Sequence, residues 1–115
     1  MQYCLRCKIS EELALEIKDI VKLLNDNPVK GKYTDQIVNL IVRLSDEALT
    51  AFFIVPVVEV KMGQMYEKMA QLGLKTGLSI ISKAGKKIIN NLSEEQLKQF
   101  ANFLNSFIWD CKAIK

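Results

Sequence analysis

The chain contains no histidine. That removes the usual general base near neutral pH, the usual partner of a nucleophilic serine or cysteine, and the commonest metal ligand. Proline occurs twice and glycine five times in 115 residues, too few for the many turns of a strand-rich domain, so long uninterrupted helices are expected. Long apolar runs are missing too. The most apolar stretch, residues 48–60, contains Pro56 and Glu59 and is well short of the ~20 residues a spanning helix needs; it reads as core. The first ten residues carry Arg6 and Lys8 and no apolar block of the kind a signal peptide requires. Cysteine is sparse and odd in number, three in all. This points to free thiols in a reducing compartment, with the cytoplasm as the expected location.

What remains is globular in composition. Half of the residues are apolar and a quarter are charged, which is enough to bury a core and far from a disordered profile. A chain of this length is expected to form one domain, residues 1–115. Net charge is a mild +3, but residues 61–92 hold six lysines against a single acid, Glu67. The whole positive excess lies in that segment.

Apolar side chains recur at steps of three and four along most of the chain. Ser10 followed by Glu11 and Glu12 reads as a helix start: a hydroxyl for the exposed N–H groups and two acids for the positive end of the dipole. Leu13, Ile17, Ile20, Val21 and Leu24 form its stripe, and Asn27-Pro28 ends it. Thr34 is the next candidate cap, followed by Ile37, Leu40, Ile41, Leu44 and Ala48 on one face. Ser45-Asp46-Glu47 repeats the capping pattern, which leaves a break with a fresh start there open. The run 52–58 suits a buried strand by composition, but Pro56 disfavours a central strand, so a helix kinked or ended near Pro56 is preferred. Beyond it, Val58, Met62, Met65, Met69 and Leu72 share one face, while Leu74, Leu78, Ile81, Ile88 and Leu92 share another. The change of phase falls at Gly73-x-x-x-Gly77, where a break is slightly favoured, because two interior glycines cost a helix roughly 2 kcal/mol. Ser93-Glu94-Glu95 caps a last helix carrying Leu97, Phe100 and Phe103 or Leu104, expected to end near Asp110. The expected fold is therefore all-α: a compact bundle of four to five helices, with a short extended segment over residues 3–9.

Three aliphatic-Ser-acid-acid matches, at Ile9, Leu44 and Leu92, have unequal separations and express shared capping physics rather than a repeat. By the same reasoning the paired acids Glu11/Glu12, Asp46/Glu47 and Glu94/Glu95 belong to helix starts, and adjacent helical residues do not share a site. Cys4-x-x-Cys7 is the one motif with a recognised chemical use. A zinc site would find only Cys111 as a third thiolate, and a redox pair lacks its βαβ setting, so the cysteines are read as structural or incidental. Gly73, Gly77 and Gly85-Lys86-Lys87 do not match a phosphate loop. No catalytic group, metal or cofactor is expected, and no small-molecule substrate is evident.

Two features suggest a partner. Met62, Met65, Met69 and Leu72 lie at helical spacing. Methionine serves both irregular cores and adaptable binding surfaces, so core packing is favoured, with a partner helix or self-association as the functional alternative. Lys61, Lys68, Lys75 and Lys83 fall near one face of a continuous helix, and with Lys86 and Lys87 in the same segment they could follow a phosphate backbone. Against this, the segment has no arginine and only Tyr66 as an interleaved aromatic. The preferred expectation is a non-catalytic helical module that binds a protein or itself. The alternative is a nucleic-acid-associated protein, and a membrane surface is disfavoured.

Overall fold

Ser10 opens the first helix as its two following acids predict. In the computed structural model, which describes residues 8–108, its hydroxyl accepts the Leu13 N–H at 3.2 Å. Helix α1 then runs over Glu11–Asp26 and buries Leu13, Ile17, Ile20 and Leu24. The chain turns through Gly31, whose φ of 76° suits a residue without Cβ, and enters α2 at Thr34–Leu49. Helix α4 covers Gln64–Asn90 and α5 covers Glu94–Phe107. The fold is all-α, with no strand among the described residues. The extended segment expected over 3–9 and the helix end expected near Asp110 fall mostly or wholly outside the described residues; α5 itself ends at Phe107.

One cluster forms the core. It draws Leu13, Ile17, Ile20 and Leu24 from α1, Ile37, Val38 and Leu40 from α2, Ile89 from the end of α4, and Leu97, Ala101 and Leu104 from α5. The sequence stripe named Ile88, but Ile88 is 62% exposed and Ile89 is buried. The phase is set by α2, whose Val38 methyls would lie 3.6 Å from a Cβ at Gly85, fixing which side of α4 faces inward.

Two capping expectations change. Thr34 is the first residue of α2 rather than its cap; its hydroxyl lies 3.4 Å from the Gly31 carbonyl and 3.2 Å from Asn90 Oδ1, tying the start of α2 to the end of α4. Ser45 opens no new helix. Because Leu44 continues the buried stripe of α2, the helix runs straight through, and Asp46 accepts from the Thr50 hydroxyl one turn on. Glu47 instead takes the N–H of Ser10 at 2.7 Å and its hydroxyl at 3.0 Å. These contacts place the start of α1 level with Glu47, and Arg43 pairs with Glu16 and Glu12 along the same flank. The Glu16 hydrogen bond raises the Arg43 pKa above its ordinary value; arginine is charged throughout the working pH range, so stability acquires no pH dependence from it.

Helix α5 carries a full capping box: Gln96 N–H donates to Ser93 Oγ at 3.1 Å and Ser93 N–H donates to Gln96 Oε1 at 2.9 Å. Ser93→Ala is expected to cost about 1 kcal/mol, read as a lower urea midpoint with an unchanged denaturant slope.

Past Leu49 the helix widens instead of stopping. Residues Thr50–Ile54 form a π-helical turn in which Val55 N–H donates to the Thr50 carbonyl five residues back, and α3 continues over Val55–Glu59. Pro56 accounts for this. It has no N–H for the carbonyl four residues earlier, and its ring would strike that carbonyl, so a locally wider turn keeps the rod going. The run 52–58 is thus helical, as preferred. Lys61 closes α3 in the left-handed region at φ 55°, with Lys61 N–H donating to Val58 and Met62 N–H to Val57, the two bonds of a Schellman end. Gly63, at φ 106°, completes the reversal into α4. Helix α4 is one piece of 27 residues, so the break at Gly73 and Gly77 does not occur: packing against α2 and the π turn holds the helix together across both glycines.

Candidate functional site

The rod from Thr34 to Glu59 and α4 make an antiparallel hairpin that outreaches α1 and α5. At 1.5 Å per residue the 26-residue rod is about 39 Å long against about 24 Å for the 16 residues of α1. Since α1 starts level with Glu47, everything from Ala48 onward in the rod lies past it. Accordingly, among the described elements the π turn and α3 touch only α2, α4 and each other. Residues 48–74 are therefore a two-helix arm standing on a four-helix base.

The arm is apolar and unburied. In residues 48–58 only Thr50 is polar, so the helix is apolar on every side, which is the pattern of a helix that is covered all round. Yet Phe52, Phe53, Val55 and Val58 are each 44–47% exposed. Met62, in the turn before α4, and Met65, Met69 and Leu72 on α4 are 48%, 72%, 61% and 66% exposed, which overturns the expectation that they pack in the core. Their face of α4 looks away from α2, because the opposite face carries Ala70, the one buried residue of the arm, together with the half-buried Leu74. The two helices share the patch: the Phe53 ring lies 3.6 Å from a Cβ built at Gly73, in the row formed at steps of three and four by Tyr66, Met69 and Gly73. Phe52, Phe53, Val55 and Val58 belong by composition to a core segment, and the structure leaves them at the surface. The missed signal was their all-round apolarity at a distance from the capped helices that make the base.

The lysines are likewise at the surface. Lys61, Lys68, Lys75, Lys83, Lys86 and Lys87 are all exposed. With α4 unbroken, Lys68, Lys75 and Lys86 align within about 20° of arc at 100° per residue, while Lys61 sits apart in the turn before the helix. Lys86 and Lys87 line, with Lys32, Asp35, Asn90 and Asn91, a shallow hollow of about 470 Å³ at the start of α2. A second hollow of about 500 Å³, between α1 and α2, is lined by Glu16, Asp19, Arg43 and apolar neighbours.

No polar or charged side chain of either hollow is buried, and no group of three or more cysteine or acidic residues among the described residues could hold a metal. No helix among them is long and apolar enough to cross a membrane. Cys4, Cys7 and Cys111 fall outside the described residues. Fold and surface together define an all-α bundle with a projecting, apolar helical hairpin. Comparison with family models, characterised proteins and solved structures gives no significant match.

Proposed function

We propose that this protein is a non-catalytic helical interaction module that binds a protein surface through the arm, with Met62, Met65, Met69 and Leu72 at the contact. The observation that supports this reading most is the exposure of those four side chains beside Phe52 and Phe53 on one hairpin. Single exposed apolar residues are ordinary, but a contiguous patch of this size on a monomer marks an interaction surface. Methionine suits it, since three rotatable bonds let it adapt to an apolar partner. An odd number of cysteines favours a reducing compartment, and we place the protein in the cytoplasm.

The test is affinity purification from the native host with the wild-type chain and with Met65→Glu/Met69→Glu. The expected result is a defined protein recovered by the wild type, retained at 200 mM salt and lost with the variant. Equal recovery by both chains, or nucleic acid alone in the eluate, overturns the reading.

A second reading has one observation of its own. Because α4 is continuous, its lysines keep their alignment, and Lys61, Lys68, Lys75, Lys83, Lys86 and Lys87 could follow a phosphate backbone without reading sequence. On that reading, binding to a mixed-sequence duplex falls steeply between about 50 and 200 mM salt, and Lys75→Ala/Lys86→Ala lowers the slope of log affinity against log salt by about 2. An apolar contact through the arm changes little over the same range.

A further inference from the structure

We propose that the occupant of the arm is the arm of a second copy of this chain, the two hairpins pairing about a two-fold axis as a four-helix bundle. This rests on the arm being the binding surface and goes further by naming what covers it. Three observations carry it.

The first is geometry. A two-helix hairpin can hide only the seam between its helices, so a helix that is apolar all round, as in residues 48–58, needs neighbours on further sides. A second hairpin supplies them, and four helices around one seam is the smallest common arrangement that does so. Leu44, Ala48 and Phe52, at steps of four, prolong the stripe of Ile37 and Leu40 that is buried in the base. The bare face thus runs on directly from a covered one, and a partner helix would take up where α1 ends.

The second is area. Ten large apolar side chains of the arm are 44–72% exposed. Taking ~150–250 Å² for the three aromatic side chains and somewhat less for the seven others, that exposure amounts to on the order of 1,000 Å² per chain over all sides of the arm, comparable with the ~800 Å² per partner of a standard stable interface.

The third is charge. The arm has four charged residues, the acids Glu59 and Glu67 and the bases Lys61 and Lys68, and so is neutral overall. A self-pairing surface meets its own charges across the axis, and a neutral one meets no net repulsion. Lys75, Lys83, Lys86 and Lys87 lie beyond residue 74 and stay outside the contact.

Sedimentation of the full chain in reductant, from about 1 to 100 µM where a micromolar dimer dissociates, tests this; reductant removes any cysteine-linked species. The expected result is a mass rising reversibly from 13.1 kDa to twice that value. Met65→Glu, at a side chain 72% exposed, and Phe52→Glu are each expected to weaken association by about 100-fold or more, because a carboxylate would be buried unpaired on each side. Helical circular dichroism should be unchanged in Met65→Glu. Ile88→Glu, 62% exposed but outside the arm, should dimerise like the wild type.

A wild type that stays at 13.1 kDa throughout, or a dimer that persists in both arm variants, overturns the inference. Residues 1–7 and 109–115 join the described chain at Lys8 and Ile108, and Lys8 is two residues from the Ser10–Glu47 contact. A monomer whose residues 50–60 resist amide exchange would assign the cover to these ends of the same chain and also sink the proposal. A monomeric wild type that still loses a co-purified protein with Met65→Glu/Met69→Glu would sink the self-pairing and leave the broader interaction reading standing.

Discussion

Ile37→Ala is expected to cost about 2–5 kcal/mol of folding stability, the range for truncating a fully buried aliphatic side chain. Ile37 is 0% exposed and lies in the cluster where α1, α2, α4 and α5 meet. The lost methyl and methylene groups leave a cavity that four helices pinned by short loops cannot close. Leu15→Ala, at a side chain 55% exposed on α1, is the matched control and should change stability by less than about 0.5 kcal/mol. Urea unfolding followed at 222 nm measures both. Equal effects at the two sites would mean that the base is not the centre of the fold. A loss confined to Ile37 would locate the stability of the protein in the base, leaving the arm free to be built for contact.

Replacing Gly73 and Gly77 together by alanine should raise stability by roughly 2 kcal/mol, since each interior helical glycine costs about 1 kcal/mol relative to alanine. Both lie inside α4 with ordinary helical backbone, and neither is among the residues at positive φ. Space permits the change. A Cβ at Gly77 meets nothing within 4 Å, and one at Gly73 meets the Phe53 ring at 3.6 Å, an ordinary contact. A higher thermal midpoint with unchanged helix content is the expected result. Destabilisation by the pair would show that the chain needs a flexible joint there, contrary to a continuous α4.

The glycine pair also shows where sequence reasoning reaches its limit. Helical periodicity located α1, α2 and α5, and the caps at Ser10 and Ser93 hold as expected, because a cap is decided by residues within four positions of one another. Val38 and Ile89 illustrate the opposite case. Nothing near them in sequence marks them as buried, and they become so where α2 packs against α4, Val38 lying beside Gly85. Ser45-Asp46-Glu47 has the same local pattern as the true caps, yet it sits mid-helix, and Glu47 finds its partner 37 residues away at Ser10. In the candidate site, the methionine row and the lysine row were visible as spacings. That the methionines are bare while the core is assembled elsewhere was not, because exposure depends on how far α1 and α5 reach along the hairpin.

By itself, the sequence determined the helical class, the stripes of α1, α2 and α5, the two serine caps and the want of histidine-based chemistry, since each follows from side-chain type or from neighbours one turn away. The tertiary structure alone decided that α4 is continuous, that the helix passes Pro56 by way of a π turn instead of ending there, and that the apolar arm overshoots the base. Those outcomes turn on the relative lengths and registers of separate helices, which are set by packing between residues far apart in the chain.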